Sequence, residues 1–238
     1  LIVIGGGAAG FFGAITCAEN SNSKVLILEK SSQLLQKVQI SGGGRCNVTH
    51  DCLDPRELSK SYPRGEKSLM GPFSRFNAAD TIEWFNSRGV ELKTEEDGRM
   101  FPVTDSSQTI VDTLIKAAEN AGVEIRTSEG VDWINKNDDL FTIITDLDNT
   151  LTANNVLLAT GGTRLAAGAK LASSLGHHLE PPVPSLFTFK IKDSRIADLQ
   201  GLSVEPTEVT IPGTKLSSSG PLLITHWGMS GPGILKIS

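Results

Sequence analysis

Hydrophobic and polar residues follow each other along the chain in blocks that predict alternating strands and helices. Residues 1–4 and 25–28 are continuous apolar runs, which are typical of buried strands in a parallel sheet. Between them, Gly10, Ala14 and Ala18 recur every four residues, so they predict a helix whose small side chains face a sheet. The amino-terminal segment is therefore expected to form a strand, a helix and a second strand.

Similar patterns predict further elements up to residue 162. Apolar positions spaced for one helix face follow Asp105 or Ser106, either of which caps a helix that Gly122 ends. A second helix is expected over about residues 78–87, with Gly89 at its end. The other predicted elements are strands over residues 90–92, 100–101, 123–125, 131–134, 140–145 and 155–159.

These elements predict an α/β fold with a Rossmann-like parallel sheet and an antiparallel β excursion near residues 129–152. The composition changes at the proline-rich residues 181–184, and residues 186–191 then alternate as in a strand. Short extended segments separated by proline, serine and glycine follow. We therefore predict a dinucleotide-binding domain over residues 1–187 and the beginning of a β-rich domain over residues 188–238.

A glycine-rich turn at the end of the first predicted strand has the chemistry of a dinucleotide-binding motif. Gly5 permits a tight turn, Gly7 lets the backbone approach a pyrophosphate, and Gly10 lets the helix pack closely on the strand. The helix N-terminus offers N–H groups and a partial positive charge to phosphates. Glu29 lies 19 residues after Gly10, close to the spacing expected for a ribose-binding carboxylate. The alternative is a plain glycine-rich loop and a solvated glutamate.

The sequence SGGGRCN at residues 41–47 is the second unusual segment. Three consecutive glycines lose much conformational entropy on folding, so they indicate a backbone that must lie close to a ligand. Arg45 is expected to hold an anionic oxygen, and Asn47 to cap a turn or hydrogen-bond a heterocycle. Cys46 is either redox-active or a small buried hydrophobe, and the lack of a second cysteine at disulfide spacing favours burial. A mobile surface loop with a structural asparagine turn is the alternative for the segment.

Three further motifs are candidates for chemistry. The sequence ATGG at residues 159–162 follows a buried strand, and we expect it to neighbour the glycine turn in one sheet and to contact the same ligand. His226 has no identifiable acid partner, which favours a structural over a catalytic role, and Ser230 and Pro232 are expected as the N-cap and first turn of a helix. The histidine pair at residues 177–178 lacks the spacing of metal ligands, so no metal and no catalytic residue is assigned.

Composition narrows the choice of partner and compartment. The 238 residues carry a net charge of −5 and a pI of about 5.4, which argues against a nucleic-acid partner. No apolar run approaches the roughly 20 residues of a membrane-spanning helix, so no membrane partner is expected. Three cysteines suit a reducing compartment, and we expect an intracellular protein, cytoplasmic or organellar. Both ends lie inside apolar segments and are expected to be truncated, with any targeting peptide removed.

The combined motifs resemble the BaiN-like (YhiN-like) family of FAD-dependent, NAD(P)-linked oxidoreductases along the whole chain. The most specific matches are SGGGRCN at residues 41–47 and HWGMSGP at residues 226–232, and GRMFP at residues 98–102 and PSL at residues 184–186 also agree. The resemblance implies a flavoprotein fold with an inserted β-rich substrate domain. It also implies that a carboxy-terminal glycine-rich segment, which completes the flavin pocket in the family, is missing from this sequence.

By this resemblance, FAD is held at several places along the chain. The glycine turn cradles its pyrophosphate, Glu29 binds the adenosine ribose with Lys30 beside it, and Val131 meets the adenine. Residues 43–46 lie along the phosphates or the flavin, and residues 159–161 close over the cofactor. The implied cofactor-binding residues are Gly5, Gly7, Ala8, Ala9, Gly10, Glu29, Lys30, Gly43, Gly44, Arg45, Cys46, Val131, Ala159, Thr160 and Gly161.

The resemblance implies an FAD-dependent oxidoreductase with NAD(P)H as electron donor and a small-molecule substrate that the sequence does not identify. A truncated, non-catalytic nucleotide-binding remnant of such a flavoprotein is the alternative. A tRNA-modifying flavoenzyme is a third hypothesis, against which the acidic pI and the lack of basic clusters weigh. Glu29 does not distinguish FAD from NAD, because a carboxylate at this position serves either ribose.

Overall fold

The computed structural model describes residues 1–62, 64–162, 167–184 and 186–238. Two compact units make up this chain, Leu1–Leu179 and Glu180–Ser238. The change of unit lies at residue 180, close to the proline-rich segment, whereas the predicted domains meet at residue 188. The assignment of those domains to cofactor and substrate stays a prediction. Ser185, in the PSL motif, lies outside the described residues.

The first unit contains most of the regular structure. Its helices are α1 (Ala8–Asn20), α2 (Gln36–Ile40), α3 (Pro55–Lys60), α4 (Glu66–Phe73), α5 (Ala78–Asn86), α6 (Ser107–Asn120) and α7 (Ala167–Ser174), with a 3-10 segment at Ser41–Gly44. Its strands are β1 (Ile2–Ile4), β2 (Leu26–Glu29), β3 (Thr49–His50), β4 (Leu92–Thr94), β5 (Arg99–Pro102), β6 (Glu124–Thr127), β7 (Val131–Asn137), β8 (Leu140–Thr145), β9 (Thr150–Ala153) and β10 (Val156–Leu158).

A four-stranded parallel sheet in the order β10-β1-β2-β6 is the centre of the first unit. Ile4 pairs with Leu158 on one side and with Leu28 on the other, so three strands end at the same edge. This arrangement confirms the predicted Rossmann-like parallel sheet and the neighbouring positions of the two glycine-containing strand ends. Ligands bind beyond the carboxyl ends of strands in such sheets, so this edge is the place to search for a site.

The alternation of side chains along β1 divides the first unit into layers. Val3 is fully buried in a cluster with helix residues, whereas Ile2 and Ile4 face the opposite cluster. Helices α1 and α6 cover the first face through residues such as Phe11 and Leu114. The opposite face packs against α7 and the antiparallel sheet β7-β8-β9. The predicted antiparallel excursion is therefore confirmed, and it forms a third layer over the parallel sheet.

Most of the predicted elements are present, with shifted ends. The helix expected over residues 78–87 begins after Asn77, whose side chain accepts from the Ala79 N–H at 2.7 Å, while Asp80 accepts from the Asn77 N–H at 2.8 Å. Helix α6 follows Ser106, and the buried Ser107 hydroxyl donates to the Gln39 carbonyl at 2.6 Å. This contact ties α6 to the end of α2.

Four short helices of the first unit, α2, α3, α4 and α7, and two of its strands, β3 and β9, were not predicted. Helices α3 and α4 are short and interrupted by polar and proline residues, so their apolar positions show no clear helical period. Helix α2 begins after Leu35, which has a left-handed backbone (φ 56°) and donates its N–H to the Gly6 carbonyl at 2.9 Å. Strand β3 pairs antiparallel with β5, and β5 pairs with β4 around the turn at Gly98.

The second unit is β-rich, as its composition predicts. Its strands are β11 (Phe189–Lys190), β12 (Ser203–Val204), β13 (Glu208–Thr210), β14 (Ser217–Ser219), β15 (Leu222–Thr225) and β16 (Gly228–Ser230), followed by α8 (Pro232–Leu235). The expected N-cap is wrong: Ser230 lies in β16, and Gly231 (φ 94°) caps α8, because only glycine adopts this backbone freely. Pro232 occupies the first turn as expected.

Gly10→Ala tests the close packing of α1 on the sheet. A Cβ at Gly10 would lie 1.9 Å from the Gly5 carbonyl oxygen, a backbone atom that cannot move aside cheaply. We expect this variant to lose about 1–3 kcal/mol of unfolding free energy, measured by urea or thermal denaturation. Gly71→Ala is the matched control, because a Cβ there meets nothing within 4 Å on exposed α4. Equal stability of the two variants would contradict this packing.

Candidate dinucleotide-binding site

The glycine turn after β1 has the shape that its sequence predicts. Gly5 has a φ of 114°, and a Cβ there would lie 2.5 Å from the Ala159 carbonyl oxygen, so both conformation and space require glycine. A Cβ at Gly7, in contrast, would meet no atom of the described residues within 4 Å. The protein itself therefore does not require glycine at this position for space, which leaves close approach of a ligand as its role.

The N-terminus of α1 faces outward from this turn. Ala8 and Ala9 are exposed, and the Phe11 N–H makes the first helical bond, to the Gly7 carbonyl at 3.0 Å. The first N–H groups of a helix have no intrahelical acceptor, and the first turn of α1 carries no acidic side chain. No side chain of the helix itself compensates its dipole here, and the exposed first N–H groups favour an anion.

Glu29 ends β2 beside the turn, and its carboxylate points toward the glycine motif. Its Oε2 accepts from the Gly6 N–H at 2.7 Å, and its Oε1 accepts from the Ser31 N–H at 2.8 Å. Two backbone donors orient the group, and each oxygen keeps a further lone pair for a ligand hydroxyl. The carboxylate is half-buried at the edge where the parallel strands end.

Lys30 and Val131 lie near the same strand end. The Glu129 N–H donates to the Glu29 carbonyl at 3.0 Å, and a Cβ at Gly130 would lie 2.9 Å from the Lys30 Cβ. Val131 follows at the start of β7 and packs against the second core cluster. The predicted adenine and ribose contacts are therefore close together in the fold, and their binding roles stay predictions.

The SGGGRCN segment forms a tight, outward-facing loop. Gly42, Gly43 and Gly44 all have positive φ values, 56°, 70° and 86°, in the left-handed region that favours glycine. A Cβ at Gly42 would lie 2.8 Å from the Asn47 N, whereas Gly43 and Gly44 face open space within 4 Å. Two of the three glycines are thus exposed backbone with no neighbour of their own, as expected for a ligand contact.

Arg45 holds anionic oxygens that belong to the protein itself. Its guanidinium binds Glu95 at 2.5 Å, lies 3.6 Å from Asp105 and stacks 4.0 Å above the centre of the Phe101 ring. The hydrogen bond with Glu95 raises the pKa of Arg45. The charge is thus compensated within the protein, by carboxylates of its own chain. A cofactor contact through the rest of Arg45 stays a prediction.

Cys46 is buried in the main core cluster, as the structural interpretation of this residue predicts. Its backbone has a φ of 61°, and its N–H donates to the Ser41 carbonyl at 3.0 Å. Burial raises the pKa of its thiol. The side chain therefore packs as a small hydrophobe, and a contact of Cys46 with a cofactor would have to be made by its backbone.

Residues 159–161 continue from β10 into the edge of the site. The Ala159 N–H donates to the Ile4 carbonyl at 2.9 Å, and Thr160 and Gly161 are exposed. A Cβ at Gly161 would lie 3.4 Å from the Nζ of Lys37 on α2. Lys37 has no ion-pair partner within the described part of the chain, so its charge is available. The sequence analysis missed Lys37 as a site residue, because α2 was not predicted and nothing located its side chain.

His226 lies in the turn between β15 and β16 of the second unit, next to Trp227. Over the residues that the structure describes, no group of three or more His, Cys, Asp or Glu side chains has the arrangement of a metal site. In the same residues, no helix is long and apolar enough to cross a membrane.

The residues present fit a dinucleotide. An open glycine backbone and an exposed helix N-terminus suit a pyrophosphate, and an oriented carboxylate at the neighbouring strand end suits a ribose. A model for a Rossmann domain family, described as "HI0933-like protein Rossmann domain", matches residues 1–228. The chain belongs to the HI0933-like family. This finding confirms the BaiN-like (YhiN-like) flavoprotein resemblance that the motifs predict.

Relatives of this HI0933-like chain carry two different names. It is 31% identical, over 249 aligned positions, to "Ribosomal RNA dihydrouridine synthase" of Escherichia coli, and the alignment covers 100% of the chain and 60% of that protein. It is 29% identical, over 245 positions, to "3-dehydro-bile acid delta(4,6)-reductase" of Clostridium scindens, covering 99% of the chain and 59% of that protein. The chain thus spans about three fifths of the length of these curated relatives.

Solved structures agree with the fold. THI4 of Thermovibrio ammonificans aligns with a TM-score of 0.50 at 13% identity, covering 74% of this chain and 62% of that one. The open conformation of a flavocytochrome c3 fumarate reductase aligns with a TM-score of 0.52 at 23% identity, covering 68% of this chain and 33% of that one. At these identities the likeness establishes the fold alone.

Thiol labelling tests the position of Cys46. Because burial raises its pKa and shields its sulfur, we expect iodoacetamide at pH 8 to label the half-buried Cys17 and Cys52 well before Cys46, as quantified by peptide mass spectrometry. In denaturant all three thiols should react at similar rates. Labelling of Cys46 in the folded protein as fast as Cys52 would show that the thiol is accessible and would contradict the structure.

Proposed function

We propose that this protein is an FAD-dependent oxidoreductase that takes electrons from NAD(P)H. The observation that carries the proposal is the pairing of an open Gly7 at the N-terminus of α1 with the Glu29 carboxylate, which is held against the same turn through Gly6 at 2.7 Å. The two features bind different parts of one dinucleotide. Membership of the HI0933-like family supports FAD as that dinucleotide.

In this proposal, the chain's own residues bind and orient the cofactor. The N–H groups of Ala8 and Ala9 donate to the pyrophosphate, and Glu29 accepts hydrogen bonds from the adenosine ribose. Lys37, beside Gly161, adds a positive charge at the end of β10. The exposed backbone at Gly43 and Gly44 lies against the cofactor where side chains would obstruct it. The flavin, when bound, supplies the hydride chemistry.

The names of two relatives support the reduction of a ring carbon–carbon double bond as the reaction class. Dihydrouridine is the reduced form of uridine, and a delta(4,6)-reductase acts on ring double bonds. In both substrates the double bond is conjugated with a carbonyl group, which makes one of its carbons a hydride acceptor. Each reaction consumes a reductant, which supports NAD(P)H as donor. No nucleophilic protein side chain is required, because the flavin transfers the hydride.

The two relatives differ in the size of their substrates, one a steroid and the other a base within an RNA. The net charge of −5 favours a free small molecule as substrate. The 31% sequence identity to the ribosomal RNA enzyme favours an RNA base. Both substrates fit the same flavin chemistry. The proposal therefore names the reacting group, an unsaturated ring ketone or ring amide, as the shared feature.

Gly7→Ala tests the cofactor site without disturbing the fold. The added methyl group meets no protein atom within 4 Å, so the melting temperature of the cofactor-free protein should stay nearly unchanged. It would push the pyrophosphate away from the helix N-terminus, and we expect FAD affinity, measured by flavin fluorescence titration, to fall by about tenfold or more. Gly71→Ala, on exposed α4, should bind FAD like the unaltered protein.

Glu29→Gln tests the carboxylate. The amide keeps one acceptor oxygen but loses the negative charge, so we expect FAD affinity to fall by roughly 10- to 100-fold, the range for a hydrogen bond to a charged group.

Anaerobic mixing of the FAD-loaded protein with NADH or NADPH should bleach the flavin absorbance. The proposal fails if the protein released from cells carries no flavin and added FAD gives no thermal shift. Flavin that neither NADH nor NADPH reduces would remove the NAD(P)H part alone.

A further inference from the structure

A cavity of about 340 Å3 opens in the first unit, between α3, α4, the start of α5 and β3. Ligand pockets in proteins begin at about 300 Å3, so this one suits a compact ligand of one or two rings. The described lining combines three aromatic, three aliphatic and four uncharged polar side chains with one histidine. None of the functions derived above uses this space.

One wall of the cavity is aromatic. Tyr62 and Phe73 lie with ring centres 5.5 Å apart, at an angle of 51°, and Phe76 is the third ring. Tyr62 and Phe76 are 46% and 40% exposed, so a large part of each ring is open to solvent. Exposed rings on a concave surface are typical of a platform on which a flat ligand stacks.

The lining near β3, here called the polar wall, includes side chains that have no hydrogen-bond partner in the described part of the chain. Thr49 and Asn47 lie on and just before β3, and within the described residues neither the Thr49 hydroxyl nor the Asn47 amide has a hydrogen-bond partner. The Tyr62 hydroxyl is likewise without one in that part of the chain. His50, in contrast, is held by the Asp97 carbonyl oxygen at 3.0 Å. Together the three open groups provide donors and acceptors for the polar edge of a ring.

The cavity adjoins the candidate dinucleotide site through two connections. Phe76 packs edge-on against Phe12 of α1, with ring centres 5.1 Å apart, and Phe12 lies about one turn from the helix N-terminus at Gly7. Asn47, on the polar wall, directly follows the SGGGRC loop. A ring in the cavity would thus lie next to the two segments proposed to hold the cofactor.

The charge around the aromatic wall differs from that of the chain as a whole. Residues 53–76 contain five basic and three acidic side chains, although the chain has a net charge of −5. Lys60 pairs with Glu57 at 2.7 Å, whereas Arg56 and Arg64 have no ion-pair partner within the described residues. A local positive charge of this kind favours a ligand that carries a phosphate.

We propose that this cavity binds a nucleobase, stacked on Tyr62 and Phe73 with its polar edge on Asn47 and Thr49, and with its phosphate on the basic segment. That the bound base is also the ring that is reduced rests on the proposed function, whereas binding of the base in this cavity does not. The base comes either from a free nucleotide or from a single-stranded RNA, because both present the same ring and phosphate. An apolar fused ring such as a steroid would leave the polar wall unpaired.

The test is a binding titration on the FAD-loaded full protein, with uridine 5′-monophosphate, a short oligouridylate and a 3-keto-Δ4 steroid as probes. We expect Tyr62→Leu to weaken binding of the uridine probes by roughly 5- to 100-fold, the range for loss of a stacking ring. Tyr62→Phe keeps the ring, so its binding of the uridine probes should be weaker than that of the unaltered protein by about twofold to tenfold at most. Thr49→Val removes one neutral hydrogen bond and should have an effect of the same size. Trp133→Leu is the matched control, because Trp133 is 44% exposed on β7, outside the cavity.

The outcomes separate the alternatives. Tighter binding of oligouridylate than of the nucleotide, weakened by salt and by the double variant Arg56→Gln and Arg64→Gln, would identify RNA as the source. Equal, weakly salt-dependent binding would identify a free nucleotide. Binding of the steroid alone, or uridine binding that Tyr62→Leu leaves unchanged, would overturn the proposal. Flavin content measured for each variant keeps a failure of the cofactor site distinct from a failure of this cavity.

Discussion

The hydrogen bond between the Glu29 carboxylate and the Gly6 N–H joins the second strand of the parallel sheet to the turn that leaves the first. A glutamate at a strand end is ordinarily solvated, but here its two oxygens accept from two backbone N–H groups. This contact sets the conformation of the turn before any ligand arrives. A preorganised turn loses less conformational entropy on binding, so the same contact serves both the fold and the affinity of the site.

The central sheet was predictable because its strands are short, continuous apolar runs. Such runs are typical of strands that are buried on both faces. Residues such as Val3 and Ile27 are buried between layers, and burial on both faces removes the ambiguity that alternating strands leave. The glycine turn was equally predictable, since Gly5 and Gly10 each satisfy a local steric requirement. The family and the Rossmann-like fold follow from these same residues, and the comparison with known proteins confirms both.

Long-range pairing of charged side chains was not predictable in the same way. Arg45 reads in sequence as a cation beside a glycine loop, yet Glu95, fifty residues away, takes its guanidinium. Lys37 had no assigned place until α2 positioned it beside Gly161. Helices α3 and α4 also escaped prediction, because they are short and bury no periodic apolar face. The part of the site that depends on these contacts required the structure.

The contact between Gly5 and Ala159 has an evolutionary consequence. These two peptides are distant in sequence, yet no atom fits between the α-carbon of one and the carbonyl of the other. Any replacement of Gly5 would have to be accompanied by a retreat of the segment after β10, which also carries Thr160 and Gly161. Because the clash is with backbone atoms, no change of side chain at residue 159 relieves it, and Gly5 should stay glycine in every relative whose turn keeps this shape.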